Sequence, residues 1–137
     1  EATADVRHIQ EVCRLLQDKI SIMGVDAPSC SNLLLVQSLG GSGVSHITGN
    51  LIPEIMNELC RPWTSFEQMK HCQMLYFQYY DLIEAVNRFS NPVGLKAAME
   101  LCGLPAGHTR HPNQDLSGEP LNFLKTVLDQ YGLLKRR

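Results

Sequence analysis

Gly40-Gly41-Ser42-Gly43-Val44-Ser45-His46-Ile47-Thr48-Gly49-Asn50 is the stretch on which the fold turns. Its first two glycines end an apolar helical run, because glycine accepts the left-handed backbone that a helix C-terminus often needs. Val44-Ser45-His46-Ile47-Thr48 then reads as a strand. Upstream, Ser31 is placed to cap a helix through Leu33, Leu34, Leu35, Val36 and Leu39. Before that helix, a loop containing Pro28 follows Ile20-Ser21-Ile22-Met23, a short apolar run closed by Gly24 that reads as a buried strand. Further back, Val6, Ile9, Val12, Cys13, Leu15 and Leu16 form a helical stripe with Thr3 or Asp5 as its N-cap. Downstream, Pro53 suits the first turn of a helix through Ile55, Met56, Leu59 and Cys60, where a missing N–H costs nothing.

From Thr64 the character changes. Thr64-Ser65-Phe66-Glu67 has capping-box form and opens a long helix with Phe66, Met69, Met74, Leu75, Tyr79, Leu82, Ile83 and Val86 among its apolar positions. Pro92 to Leu101 makes another helix stopped by Gly103, residues 104–117 form a loop, and Pro120 to Leu128 begins a last helix. Strands separated by helices pair in parallel, and a parallel sheet needs both faces covered. Two strands cannot meet that demand, so the pattern predicts an α/β chain that is the back portion of a larger parallel sheet. Residues 1–62 supply its last βα units and residues 63–137 an added helical region.

Composition narrows the function classes. A hydrophobic fraction of 44%, a charged fraction of 19% and seven prolines along 137 residues describe a globular chain. The net charge of −2 leaves Lys135-Arg136-Arg137 as the only basic run, which argues against nucleic acid as a partner. Apolar runs such as Leu33-Leu34-Leu35-Val36 fall far short of the ~18 to 20 residues that cross a bilayer, so no membrane association is expected. The five cysteines, Cys13, Cys30, Cys60, Cys72 and Cys102, lack a C-x-x-C and the paired spacing of a zinc site. Reduced thiols in a cytoplasmic protein, and no metal, are the expectation. Glu1-Ala2-Thr3-Ala4-Asp5 has no basic start or apolar core of a signal peptide.

Three stretches together carry a resemblance. Glu1-Ala2-Thr3-Ala4-Asp5 is similar to the segment after the Schiff-base lysine, K-E-A-T-G-[DN] or K-D-T-S-G-D, of the dihydrodipicolinate synthase and N-acetylneuraminate lyase superfamily. The Gly40–Asn50 stretch followed by Pro53 resembles that superfamily's glycine-rich turn, last barrel strand and G-V-I-S-V-T-x-N ending. Asn91-Pro92-Val93-Gly94-Leu95-Lys96, then Leu101-Cys102-Gly103-Leu104 and Arg110, is similar to its N-P-x-x-x-K, L-x-x-x-G-L and x-R-x-P segments. Each motif alone is short enough to recur by chance; their order and separation make the joint match specific.

The resemblance implies the C-terminal portion of a (β/α)₈ TIM barrel followed by a C-terminal helical region, with the catalytic lysine immediately before Glu1. It also implies a class I aldolase-type lyase working without a cofactor, through a covalent lysine–pyruvate imine. Pyruvate and an aldehyde co-substrate would be its substrates, with aspartate semialdehyde first and a keto-deoxy sugar acid, sialic acid or another aldehyde as the alternative. A catalytically silent homologue stays open as a third reading. Its partners would be the N-terminal half of the same barrel and further copies in a homo-tetramer.

Barrel sites lie at the C-terminal ends of the strands, which selects Gly24, Val25, Asp26, Ser45 and His46 as substrate-binding candidates, with no catalytic residue in this chain. Within the resemblance, Ser45 stands where an aliphatic residue is usual, His46 near a small residue, and Val25 at a glycine. His46 either hydrogen-bonds the acceptor or faces the surrounding helices, because Ser45 and His46, as strand neighbours, cannot both point inward. Asp26 either contacts the acceptor or caps a turn, and Thr3 either lines the site or caps the first helix. Tyr76, Tyr79 and Tyr80 lie on the long helix and read as packing; Lys96 lies outside the barrel mouth; His108 and His111 lack the further ligands of a metal site.

Overall fold

A helix can lie close to a parallel strand pair only where small residues leave room, and here that room is made by Gly24 and Gly41. The computed structural model describes residues 5–16, 19–25 and 31–135. Strands β1 (Met23–Val25) and β2 (Gly43–Ser45) pair in parallel, with Gly24 opposite Val44 and Val25 opposite Ser45. Between them lies helix α2 (Asn32–Ser38). A Cβ on Gly24 would come within 3.1 Å of Val36, and one on Gly41 within 2.2 Å of its Cγ1. Val36 is buried and clusters with Ile9 and Cys13 of helix α1 (Val6–Leu16).

The expected Ile20–Met23 strand is displaced toward the C-terminus. Ile20 and Met23 are each 55% exposed, and Gly24 sits inside the strand instead of closing it. The second expected strand is shortened. β2 ends at Ser45, and Ile47–Asn50 is a turn of 3₁₀ helix. The first difference arises because glycine looks like punctuation in sequence, yet Gly24 is the residue that lets Val36 reach the sheet; the second arises where His46 caps the 3₁₀ turn and takes the chain out of the strand. Gly40, with φ +81°, does end the preceding helix as expected.

Helix α3 (Pro53–Leu59) begins on its proline, and its end is held from α2. The buried Gln37 Nε2 donates to Leu59 O at 2.7 Å and Arg61 O at 3.1 Å, two carbonyls that a helix terminus leaves without intrahelical partners. Helix α4 (Phe66–Asn87) starts one residue later than the capping box suggested. Ser65 Oγ accepts from Gln68 N at 3.2 Å, and Gln68 Oε1 accepts from Thr64 N at 2.7 Å, so Ser65 is the capping side chain and Gln68, not Glu67, reaches back over the helix start. Ser31, by contrast, stands at the start of α2 in helical backbone without a side-chain cap bond. Along α4, Cys72, Leu75 and Tyr76 are buried, whereas Phe66 and Met74 are exposed.

The contacts divide the chain into two compact units between Gln78 and Tyr79. In the second, Leu82, Ile83 and Val86 of α4 are fully buried, as are Leu124 and Leu128 of helix α6 (Gly118–Gln130), and Val93, Leu95 and Ala98 of helix α5 (Val93–Leu101) are buried. Tyr79 stacks at a tilt on Tyr131, with centroids 5.5 Å apart, in keeping with a packing role. Two carboxylates strap the 104–117 loop. Glu100 Oε1 accepts from the N–H groups of Ala106 and Gly107, and Asp115 accepts from Thr109 N, Thr109 Oγ1 and His108. These bonds, the Thr109 N–H first, hold the Asp115 carboxyl down at about 2, against an ordinary 3.8.

Two outcomes follow from this packing. Gly41→Ala forces a Cβ into Val36 and should lower stability by about 1–3 kcal/mol in urea unfolding of the intact protein. Gly49→Ala, whose Cβ would find nothing nearer than Met56 at 4.0 Å, should stay within roughly 0.5 kcal/mol. The Asp115 carboxyl is depressed by folding, so its contribution is present above about pH 3.8 and is lost as pH falls through about 2. Amide exchange at Thr109 should remain slow at pH 4 and accelerate below about 2; Asp115→Ala, which removes the acceptor, should make it fast at both.

Candidate functional site at the strand ends

Alternation along a strand sorts the residues at the C-terminal end of the parallel pair onto two faces. Gly24 faces α2, where a Cβ would meet Val36 at 3.1 Å, and its register partner Val44 lies on the same face, 3.3 Å from that Cβ. Met23, Val25, Gly43 and Ser45 occupy the opposite face, where Met23 and Ser45 are exposed and Val25 is half-buried. The register sets Val25 directly across from Ser45. Two of the predicted site residues are therefore neighbours on one open surface, and a third, Gly24, serves helix packing on the other. Asp26 and Thr3 lie outside the described residues.

His46 continues the extended backbone past Ser45, with φ −145° and ψ 135°, and so falls on the opposite side from Ser45. Its Nδ1 accepts from Thr48 N at 3.2 Å, capping the 3₁₀ turn. An accepting Nδ1 fixes the neutral ring as the Nε2–H tautomer. His46 thus holds the chain where it leaves β2. Thr48 beneath it is completely buried, and its Oγ1 has no hydrogen-bond partner among the described residues.

The chemistry of this end is that of a wall. Val25 supplies an aliphatic surface, Ser45 a hydroxyl, and the strand ends their backbone carbonyls. The nearby thiols are poor nucleophiles: burial pushes the Cys60 thiol up despite its contact with Val44 O at 3.7 Å, and burial likewise raises Cys72. Lys96 lies on α5 in the second unit, and His108 is paired with Asp115. Among the described residues no group of three His, Cys, Asp or Glu side chains could hold a metal, and no helix is long and apolar enough to cross a membrane.

Sequence reasoning missed Met23, which was counted as buried strand core although it lies two residues before Val25 on the open face. Period-two spacing from Val25 was the available signal. It also missed Gln37, whose amide looks like an ordinary polar position in a helix until α3 is seen to end against it.

Known proteins resemble this chain along nearly its whole length. The model of the dihydrodipicolinate synthetase family matches residues 1–131. The 4-hydroxy-tetrahydrodipicolinate synthase of Thermoanaerobacter sp. (strain X514) is 30% identical over 135 residues, which cover 98% of this chain and 44% of that protein. That of Thermodesulfovibrio yellowstonii is 32% identical over 135 residues, covering 98% and 45%. The crystal structure of dihydrodipicolinate synthase from Aquifex aeolicus superposes with a TM-score of 0.86 at 28% identity, over 99% of this chain and 45% of that one. The chain spans a little under half the length of these relatives.

If His46 acts by accepting from Thr48 N–H, His46→Ala should cost about 1 kcal/mol and speed amide exchange at Thr48. His46→Asn, whose side-chain oxygen is also a good capping acceptor, should restore most of both. Equal exchange rates for the two variants would remove the cap from the account.

Proposed function

The chain belongs to the dihydrodipicolinate synthetase family, and on that premise we propose that it forms the C-terminal portion of a (β/α)₈ barrel in a pyruvate-dependent Schiff-base lyase. The observation that carries this reading is the open face of Met23, Val25 and Ser45, opposite the helix-covered face of Gly24 and Val44. In a closed barrel of parallel strands that face is the interior, and its C-terminal rim is where substrates bind. Thr48 Oγ1, fully buried and without a partner among the described residues, lends support, since such a hydroxyl is costly and a further segment at this end would supply one.

The reaction is a condensation of pyruvate with aspartate semialdehyde. A lysine immediately before Glu1 attacks the pyruvate ketone and loses water to give an iminium ion. Loss of a methyl proton then makes the enamine that bonds to the aldehyde carbon. The amine must be neutral to attack, which a desolvated barrel mouth favours. In this scheme Val25, Asp26 and Ser45 wall the acceptor pocket and His46 fixes its rim. No cofactor or metal takes part. The enzyme works in the cytoplasm, and the assembly is a homo-tetramer of complete barrels.

Borohydride reduction of the intact protein with pyruvate should fix the pyruvate carbons irreversibly on the residue immediately before Glu1, read on a peptide that spans that position. Condensation with aspartate semialdehyde should then be detectable in a coupled assay. An adduct without condensation would move the acceptor to a keto-deoxy sugar acid or another aldehyde; no adduct at all would leave a silent homologue. Ser45→Val should leave adduct formation within about 3-fold and act mainly on the KM of the acceptor, as expected for a residue that binds and does not react.

A further inference from the structure

The second unit holds a cleft of about 340 Å³ between α5, the strapped loop and the start of α6. Its walls are aliphatic: Val93, Ala97 and Leu101 from α5, Leu116 from the loop and Leu121 from α6. One cation and one anion, Lys96 and Glu100, stand one helical turn apart on the α5 wall. Lys96 forms no ion pair within 4 Å among the described residues, though its charge reaches Glu100 across the turn and helps to hold that carboxyl down, after the Ala106 and Gly107 N–H groups. Glu100 Oε1 accepts from both loop N–H groups, which leaves Oε2 of the same carboxylate without a donor among the described residues. The other acid in the wall, Asp115, is saturated by Thr109 and His108.

We propose that this cleft binds a small zwitterion with an aliphatic body, an apolar α-amino acid, its carboxylate on Lys96, its ammonium on Glu100 and its side chain among the five aliphatic residues. The volume lies at the lower end of the range for small-molecule pockets, which are mostly apolar with a few convergent polar groups. A simple carboxylate would meet Glu100 as a like charge and a simple amine would meet Lys96. A molecule carrying both charges next to an apolar chain is complementary to the whole wall. The inference concerns the helical unit alone and does not rest on the barrel reading.

The matched probes are norleucine, hexanoate, which lacks its ammonium, and pentylamine, which lacks its carboxylate. Titrated into intact protein with labelled methyl groups, norleucine should shift the Val93, Leu101, Leu116 and Leu121 signals saturably, with each analogue about tenfold weaker or more. Lys96→Met should bring norleucine down to the affinity of pentylamine while leaving pentylamine no weaker. Leu121→Trp, which fills the cleft without touching either charge, should abolish the shifts while the circular dichroism stays unchanged. Equal binding of the three probes would reduce the site to an apolar crevice and overturn the proposal. So would the absence of any saturable shift at millimolar norleucine, or an unchanged affinity in Lys96→Met. Pyruvate trapping in the same samples reads the barrel chemistry separately, so either proposal can fail alone.

Discussion

The contact of Val36 with the backbone at Gly24 and Gly41 is the constraint on which the first unit depends. Parallel strands need a crossover, and the crossover helix must return close enough to bury one face of the sheet. Here the approach is limited by a single β-branched side chain, and two glycines remove the atoms that would meet it. The same seat brings Ile9 and Cys13 of α1 onto Val36, so one residue joins two helices and the sheet. The register follows: with Gly24 beneath the helix, Val44 is its partner, and Val25 and Ser45 are left facing the other way.

Polar groups then fix what the apolar seat leaves adjustable. Gln37, one residue beyond Val36, reaches the carbonyls of Leu59 and Arg61 and ties α3 to α2. A buried amide with one direction of good geometry specifies an angle that aliphatic contact alone would not. His46 does similar work at the end of β2 by occupying the Thr48 N–H. Both are local bonds from side chains to backbone, and both lie beside the strand ends.

Much of this was legible in the sequence. The helix over about Val6 to Leu16 is legible because its stripe is periodic and its neighbours are polar. Pro53 opened α3 and Gly103, at φ +79°, closed α5, as their backbone chemistry requires. The strands were less legible because each regular segment is only three residues long and has a glycine in it, so a pattern that reads glycine as an end misplaces both. For the candidate site, the sequence offers residues but not their arrangement. Val25 and Ser45 were both named, but that they share a face while Gly24 serves the other depends on register, which no single strand encodes. Ser65 with Gln68 was missed in favour of Thr64 with Glu67 because both pairs satisfy the same spacing, and only the start of α4 decides between them.

The open face is where fold and function meet. Covering one face of a parallel pair and leaving Met23 at 55% exposure on the other is unfavourable for a finished sheet, since parallel strands are stable when buried on both sides. What would bury that face without closing it to substrate is a ring of further strands, whose interior packs below and opens at the C-terminal rim. On that reading the residues kept small or uncharged beside the rim, Val25 and Ser45, are there to shape a cavity that a reactive amine from elsewhere enters. Burial raises the Cys60 thiol beside β2, so under the proposed reading the strand ends would contribute shape and backbone carbonyls, and the nucleophile would come from elsewhere in the barrel.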